Sequence, residues 1–181
     1  MKNINRSSVF VLTLTLLSSA LFLPAANAAD KGYRYWGYFQ AGPNARAWTA
    51  AMTGPTVNMA DGSVEGWAFT FSSEAIPDAK SPRVAPDFTR ICGTTKVPGV
   101  GKKRVGLVVD FGSAFIKPKG EVVPRSFSIC VVVDKNALGV DVLSKVVKLR
   151  AEGSGLICSL NAYPAKECGA EITTPTALLN K

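Results

Sequence analysis

The chain is predicted to fold as one small α+β roll, a mixed β-sheet with one main helix packed across it. Segments 33–40, 63–72, 104–111 and 126–133 alternate apolar and polar residues or are apolar throughout, as half-buried and buried strands do. Segment 138–149 instead repeats apolar residues at helical spacing. About 150 residues follow the first 28, a length that suits one domain with a proper core.

The first element is a leader. Lys2 and Arg6 precede an apolar run, 9–23, broken only by Thr and Ser; Pro24 ends it and Ala26-Asn27-Ala28 follows. Charged, apolar and small residues in that order make a secretory signal peptide cleaved after Ala28. The run is too short and too rich in hydroxyls to span a membrane, which takes about 20 apolar residues. There is no Cys at the cleavage point to carry a lipid. The protein is therefore expected to be secreted or to sit on the extracellular cell surface. It is expected to form a single domain over 29–172, with a flexible tail over 173–181.

Tyr33-Arg34-Tyr35-Trp36-Gly37-Tyr38-Phe39-Gln40 reads as an aromatic strand. Alternation sets Tyr33, Tyr35 and Phe39 on one face and Trp36 and Tyr38 on the other. A turn at Gly42-Pro43-Asn44 leads to a returning strand over 48–52, stopped by Gly54-Pro55. Asp61-Gly62 is the next turn. In the strand after it, Glu65, Trp67, Phe69 and Phe71 share one face, and Val64, Gly66, Ala68 and Thr70 the other. For Glu65 the two readings are an edge carboxylate paired with a Lys or Arg, and a ligand contact.

Residues 73–86 read as a surface loop joining two halves of the domain. Asp87 caps one helical turn ending at Cys92. The strand 104–111 is nearly all apolar and so central, and 126–133 is a second such strand, containing Cys130. In 138–149, Leu138, Val142, Leu143, Val146, Val147 and Leu149 fall on one helical face. Gly153 and Gly155 end that helix, and 156–160 is a short strand.

Composition narrows the function. Lys2 and Arg6 fall in the leader, so +6 of the net +8 remains on the exported part. Its only tight cluster is Gly101-Lys102-Lys103-Arg104, with Lys117, Lys119 and Arg125 nearby. It reads either as a patch for anionic lipid, wall polymer or a phosphorylated ligand, or as a solvated loop before a strand. A nucleic-acid role has no motif behind it. No segment after the leader is long enough for a stable membrane span. The four cysteines, Cys92, Cys130, Cys158 and Cys168, suit disulfides in an exported chain. Three connectivities are open. Cys92–Cys130 with Cys158–Cys168 is favoured, because the second pair closes a short loop through Tyr163-Pro164. No metal site is expected, since there is no CxxC and no His. The absence of His also removes the Ser-His-Asp and Cys-His nucleophiles. Asp61 with Glu65 could form a carboxylate pair, but that spacing at a turn is more often surface.

Several segments together resemble a known family. These are Tyr35-Trp36-Gly37-Tyr38-Phe39 with Trp48, Asp61-Gly62-Ser63-Val64-Glu65-Gly66-Trp67 with Phe69, and Pro86-x-Phe88-x-x-Ile91-Cys92. Gly101-Lys102-Lys103-Arg104-Val105 and Gly155-Leu156-Ile157-Cys158, with Tyr163-Pro164-Ala165 and Cys168-Gly169, complete the set. They resemble an uncharacterised family of secreted proteins from Gram-positive bacteria, encoded beside energy-coupling-factor (ECF) transporters of the cobalt or vitamin type. That family brings no established activity or catalytic residues. A weaker resemblance is to the C-terminal β-grasp domain of transcobalamin-like proteins. Leu160-Asn161-Ala162-Tyr163 is similar to its turn, 35–39 to its aromatic strand and 61–67 to its closing strand. The order is exchanged, which implies a circularly permuted, β-grasp-like fold.

The resemblance implies a non-enzymatic accessory or small-ligand-binding protein linked to an ECF transport system. It would need no cofactor, and its partner would be a vitamin-like small molecule or a membrane transporter component. Trp36, Tyr38, Trp48, Glu65 and Trp67 are the candidate ligand-binding residues, with Gly37 and Gly66 letting a ligand approach the backbone. The alternative is a cell-surface domain binding wall glycan through exposed aromatics. An enzyme using Ser, Asp or Glu ranks last, and a fourth reading is that most of these aromatics, taken singly, simply fill the core.

Overall fold

A computed structural model describes residues 30–180. The leader over 1–28 and its cleavage point lie outside the described residues. The described chain is a mixed α+β domain, mostly strands with a few short helices, as its alternation predicts.

Strand β1 (Lys31–Ala41) pairs antiparallel with β3 (Val64–Ser73) along almost its whole length. The other edge of β1 is shared by β2 (Thr49–Ala50), at its far end, and β8 (Ala170–Thr173), at its start. β3 then pairs parallel with β4 (Lys102–Asp110), and β4 antiparallel with β5 (Phe127–Asp134). A parallel pair needs a crossover. Residues 74–101 supply it and contain α1 (Phe88–Cys92), where the Asp87 side chain accepts the Arg90 N–H at 3.0 Å as the expected N-cap.

Both faces of the sheet are covered, and differently. Trp36, Trp67, Phe69, Leu107, Val109 and Phe111 belong to the main core. Over them lie α2 (Gly139–Ser144) and a hairpin of β6 (Leu149–Ala151) and β7 (Ile157–Leu160), through Val142, Leu143, Ile157 and Leu160. The opposite face is lined by small residues, Ala41, Val64 and Val108. There Trp48, Val84, Phe88 and Ile91 close a thinner core. Large side chains on one face of β3 and small ones on the other let a helix and hairpin stack on the first and a loop lie flat on the second.

The main helix is shorter than predicted. It ends at Ser144, and Leu149 belongs to a strand rather than to the helix. Val140, Val142, Val146 and Val147 are β-branched and weak helix formers. The Ser144 hydroxyl donates to the carbonyl of Val140, a contact that competes with the helix ladder. Val147 still reaches the core from the turn that follows.

The disulfides are Cys92–Cys130, joining α1 to edge strand β5, and Cys158–Cys168, joining β7 to the segment before β8. Thr173, at the start of the expected tail, closes β8. Thr174 donates its N–H to Asp30 O at 2.8 Å, and a short α3 (Thr176–Leu179) follows with Leu178 against the core. Among the described residues no helix is long and apolar enough to cross a membrane.

Candidate functional site

Strand parity brings four of the five candidate residues together. Trp36 and Tyr38 of β1 and Glu65 and Trp67 of β3 point to the thick face, with Tyr38 opposite Trp67 in the ladder. Their rings stack at 4.7 Å between centroids and 24° between planes. Trp48 does not join them. It lies on the thin face, with its indole N–H on the Val84 carbonyl at 3.0 Å. One combined face of Trp36, Tyr38, Trp48 and Trp67 is thus not formed.

The three rings on the thick face are core residues, between 2 and 8 % exposed. Yet their edges form the floor of a cleft of about 330 Å³, walled by Gly54 and Pro55 on one side and by Ser154, Gly155, Leu156 and Ile157 on the other. The Trp36 N–H is satisfied by Tyr163 O at 3.1 Å, whereas the Trp67 Nε1 is buried with no hydrogen-bond partner. The expected backbone approach at the glycines is closed. A Cβ on Gly66 would meet the Trp48 ring at 2.8 Å and Pro82 at 2.9 Å. On Gly37 it would meet Phe39 and Thr70 side chains at 3.0 and 3.1 Å.

Behind Tyr38 lies Glu65. It is fully buried on β3, an interior strand, so it is not an edge carboxylate. Its Oε1 accepts the Tyr38 hydroxyl at 2.7 Å, and Oε2 has no partner among the described residues. Gln40 Nε2 donates to the same Tyr38 oxygen at 2.9 Å. Burial pushes the Glu65 carboxyl up to about 7, against the opposing pull of the Tyr38 bond and the charge of Lys103. Burial and the neighbouring Glu65 also push the Tyr38 phenol far above its ordinary range, so it stays protonated.

Lys103 is the residue the sequence hid best. It sits in a run of basic residues, but its Nζ is buried, donating to Asn58 Oδ1 at 2.6 Å, Ala137 O at 2.7 Å and Met59 O at 2.8 Å. It acts on Glu65 through space, not as a direct ion pair. Its parity with Val105, Leu107 and Val109 was the available signal. The rest of the cluster is also engaged: Lys102 with Asp134 at 2.5 Å, and Arg104 with Asp61 at 3.6 Å and over the Phe88 ring. The cluster is therefore part of β4 and neither a free patch nor a loop. Asp61 instead accepts the Arg104 N–H at 2.6 Å, so it makes no carboxylate pair with buried Glu65.

Residues 54–59 roof this polar centre. Pro55 O and Val57 O accept the N–H groups of Val140 and Gly139 at 2.8 and 3.1 Å. Gly139 packs tightly here: a Cβ on it would lie 2.5 Å from Glu65 Oε1 and 2.7 Å from the Tyr38 hydroxyl, so those side chains would have to give way. Elsewhere, Glu152, Cys158 and Cys168 converge within 4.8 Å. The two sulfurs are bonded to each other, which leaves one carboxylate and no metal-ligand set.

The protein is therefore a disulfide-bonded α+β domain whose central aromatics floor a small cleft in front of an incompletely bonded carboxylate. It belongs to the SCO2322-like domain family, whose profile matches residues 28–173. Comparison with curated proteins and with solved structures gives no match.

Proposed function

We propose that this chain is an exported, non-enzymatic binding protein that holds a small ligand in the cleft over Trp36, Tyr38 and Trp67, as an accessory to an ECF-type cobalt or vitamin transport system. The observation that carries the binding reading is the cleft itself. At about 330 Å³ it lies within the range of small-molecule sites, about 300–1,000 Å³. Its floor is aromatic. Such a site suits a flat, largely apolar molecule. A whole corrinoid is far larger than this cleft and would be held by one part only. Glu65 does not line the cleft and acts by holding the Tyr38 hydroxyl.

The transport link rests on the resemblance of the quoted segments. Two disulfides and the lack of a long apolar helix among the described residues are compatible with an extracellular location. A non-catalytic role fits the lining, whose side-chain hydroxyls are Ser154 and the non-ionised Tyr38. The wall-glycan alternative relied on exposed aromatics, and Trp36, Tyr38 and Trp67 are buried.

Titration of the folded protein with vitamin-like molecules, cobamides and wall fragments, read by intrinsic Trp fluorescence, tests this. One vitamin-like compound should change the emission saturably. Ser154→Arg, a change on the exposed rim, should abolish that response without altering the thermal midpoint. A response unchanged by Ser154→Arg, or none to any compound, rejects the cleft as the site.

A further inference from the structure

The loop between β4 and β5, residues 112–125, is anchored to the domain yet exposes apolar side chains. Ile116 and Pro118 are buried, and Val123 packs against the main core. The Arg34 guanidinium donates to the carbonyls of Ile116 and Lys117 at 3.2 and 3.0 Å. Lys117 Nζ donates to Glu121 O at 3.0 Å, and the Glu121 carboxylate accepts the Ala165 N–H at 3.1 Å. So the loop is held at several points along its length.

Between these anchors Phe115 and Val122 face outward. Phe115 is 59 % exposed and Val122 85 % exposed. Lys119 and Arg125 on the same loop, and Lys166 beside the Ala165 anchor, are exposed as well. Among the described residues none of these three cations has a carboxylate within ion-pair distance. The two nearby acids are already engaged, Glu121 on the Ala165 N–H and Glu167 on Arg34. One exposed apolar side chain is ordinary on a protein surface. Two on one anchored loop, set among unpaired cations, form a surface of definite chemistry.

We propose that this loop docks the protein on an anionic lipid bilayer. The cations Lys119, Arg125 and Lys166 would lie among the headgroups, and Phe115 and Val122 would enter the interface. Charge complementarity selects an anionic partner. The apolar tips select a bilayer over a hydrated anionic polymer, which offers them nothing to be buried in. Weak apolar insertion joined to a basic cluster is the combination that gives reversible attachment without a spanning segment. This surface is separate from the cleft, so the inference does not depend on the binding proposal.

Vesicle co-sedimentation of the chain from residue 29 onward, which contains every described element, provides the test. Binding should appear with vesicles of mixed phosphatidylglycerol and phosphatidylcholine, be absent with phosphatidylcholine alone, and weaken as salt rises. Each cation removed should weaken it about fivefold, so Lys119→Gln with Arg125→Gln should cost about 25-fold. Phe115→Ser with Val122→Ser should cost about tenfold at constant charge. All four positions are exposed, so the thermal midpoint should not move, and a normal midpoint keeps a negative result meaningful. Absence of phosphatidylglycerol-dependent binding overturns the proposal. So does binding that ignores the Phe115 and Val122 changes and is competed by a soluble glycerol-phosphate polymer, because that outcome assigns the loop to wall polymer instead.

Discussion

Glu65 on β3 and Asp110 on β4 are both buried carboxylates on interior strands, and their surroundings differ in kind. Asp110 is bonded on every side. Arg83 donates from Nε at 2.9 Å, from Nη2 at 2.5 Å and from its backbone N–H at 2.8 Å; Gly112 N–H and the Ser126 hydroxyl add bonds at 3.0 Å. Glu65 has one hydroxyl and an unpartnered oxygen. Burial would raise Asp110, but the Arg83 and backbone bonds outweigh it and hold the carboxyl down to about 2. Burial prevails at Glu65, which rises to about 7. A saturated carboxylate is a fastener, here pinning the crossover loop to the sheet. An unsaturated one marks where the fold has left polar capacity unused, and that place adjoins the cleft.

The difference has opposite consequences for stability against pH. The folded pKa of Glu65 lies above its ordinary 4.5, so between 4.5 and 7 the folded state binds more protons than the unfolded one. Stability therefore falls as pH rises through that window, by about 3 kcal/mol in all, because each tenfold change in proton affinity is worth about 1.4 kcal/mol. The chain has no His to obscure the effect. Denaturant unfolding from pH 4.5 to 8 should show this slope, and Glu65→Gln should remove it. A wild-type profile that is level across the window would mean that Glu65 is solvated after all and that the contrast with Asp110 is false.

Asp110 runs the other way. Its folded pKa is below its ordinary 3.8, so its contribution is complete above about 4 and is lost as pH falls through 4 to 2. The loss is about 2 kcal/mol as an upper figure, because the Arg83 side chain is itself two-thirds exposed. Asp110→Asn should lower stability at neutral pH and shrink the difference between pH 5 and pH 2. An acid limb of the same height in wild type and Asp110→Asn would show that Arg83 holds the loop without help from this charge.

Much of this was legible in the sequence. Alternation in 33–40, 63–72 and 104–111 set the strands and their faces, and an Asp before Phe88 marked the short helix. The even count of cysteines and the short Cys158–Cys168 loop led to the observed pairing. What stayed hidden depended on non-local packing. Trp48 left the aromatic set because its segment carries only a two-residue strand, so parity could not place it. β8 has just four residues, Ala170-Glu171-Ile172-Thr173, too few for a pattern, and exists because the free edge of β1 accepts it. The helical periodicity of 138–149 also suits one short helix, a turn and a strand, and only the hairpin partner β7 decides between them. The cleft is walled by two segments, 54–55 and 154–157, about a hundred residues apart in the chain.

The smallest expected effect gives the sharpest test of whether space at Glu65 is specified. Gly139 opens α2, and Ala there gains helix propensity of up to about 1 kcal/mol. Yet its Cβ would fall 2.5 Å from Glu65 Oε1 and 2.7 Å from the Tyr38 hydroxyl. Both atoms end side chains that can yield a little, so the overpacking cost should be modest, and the net loss for Gly139→Ala about 1 kcal/mol. Gly153 has open space where a Cβ would go, so Gly153→Ala serves as the control and should stay within about 0.5 kcal/mol of wild type. The decisive measurement is a double-mutant cycle with Tyr38→Phe, which removes the hydroxyl that the new methyl meets. Gly139→Ala should then cost less in the Phe background than in wild type. Equal costs in the two backgrounds would show that α2 can shift away from the carboxylate, and that the tight roof over Glu65 is not a constraint the sequence maintains.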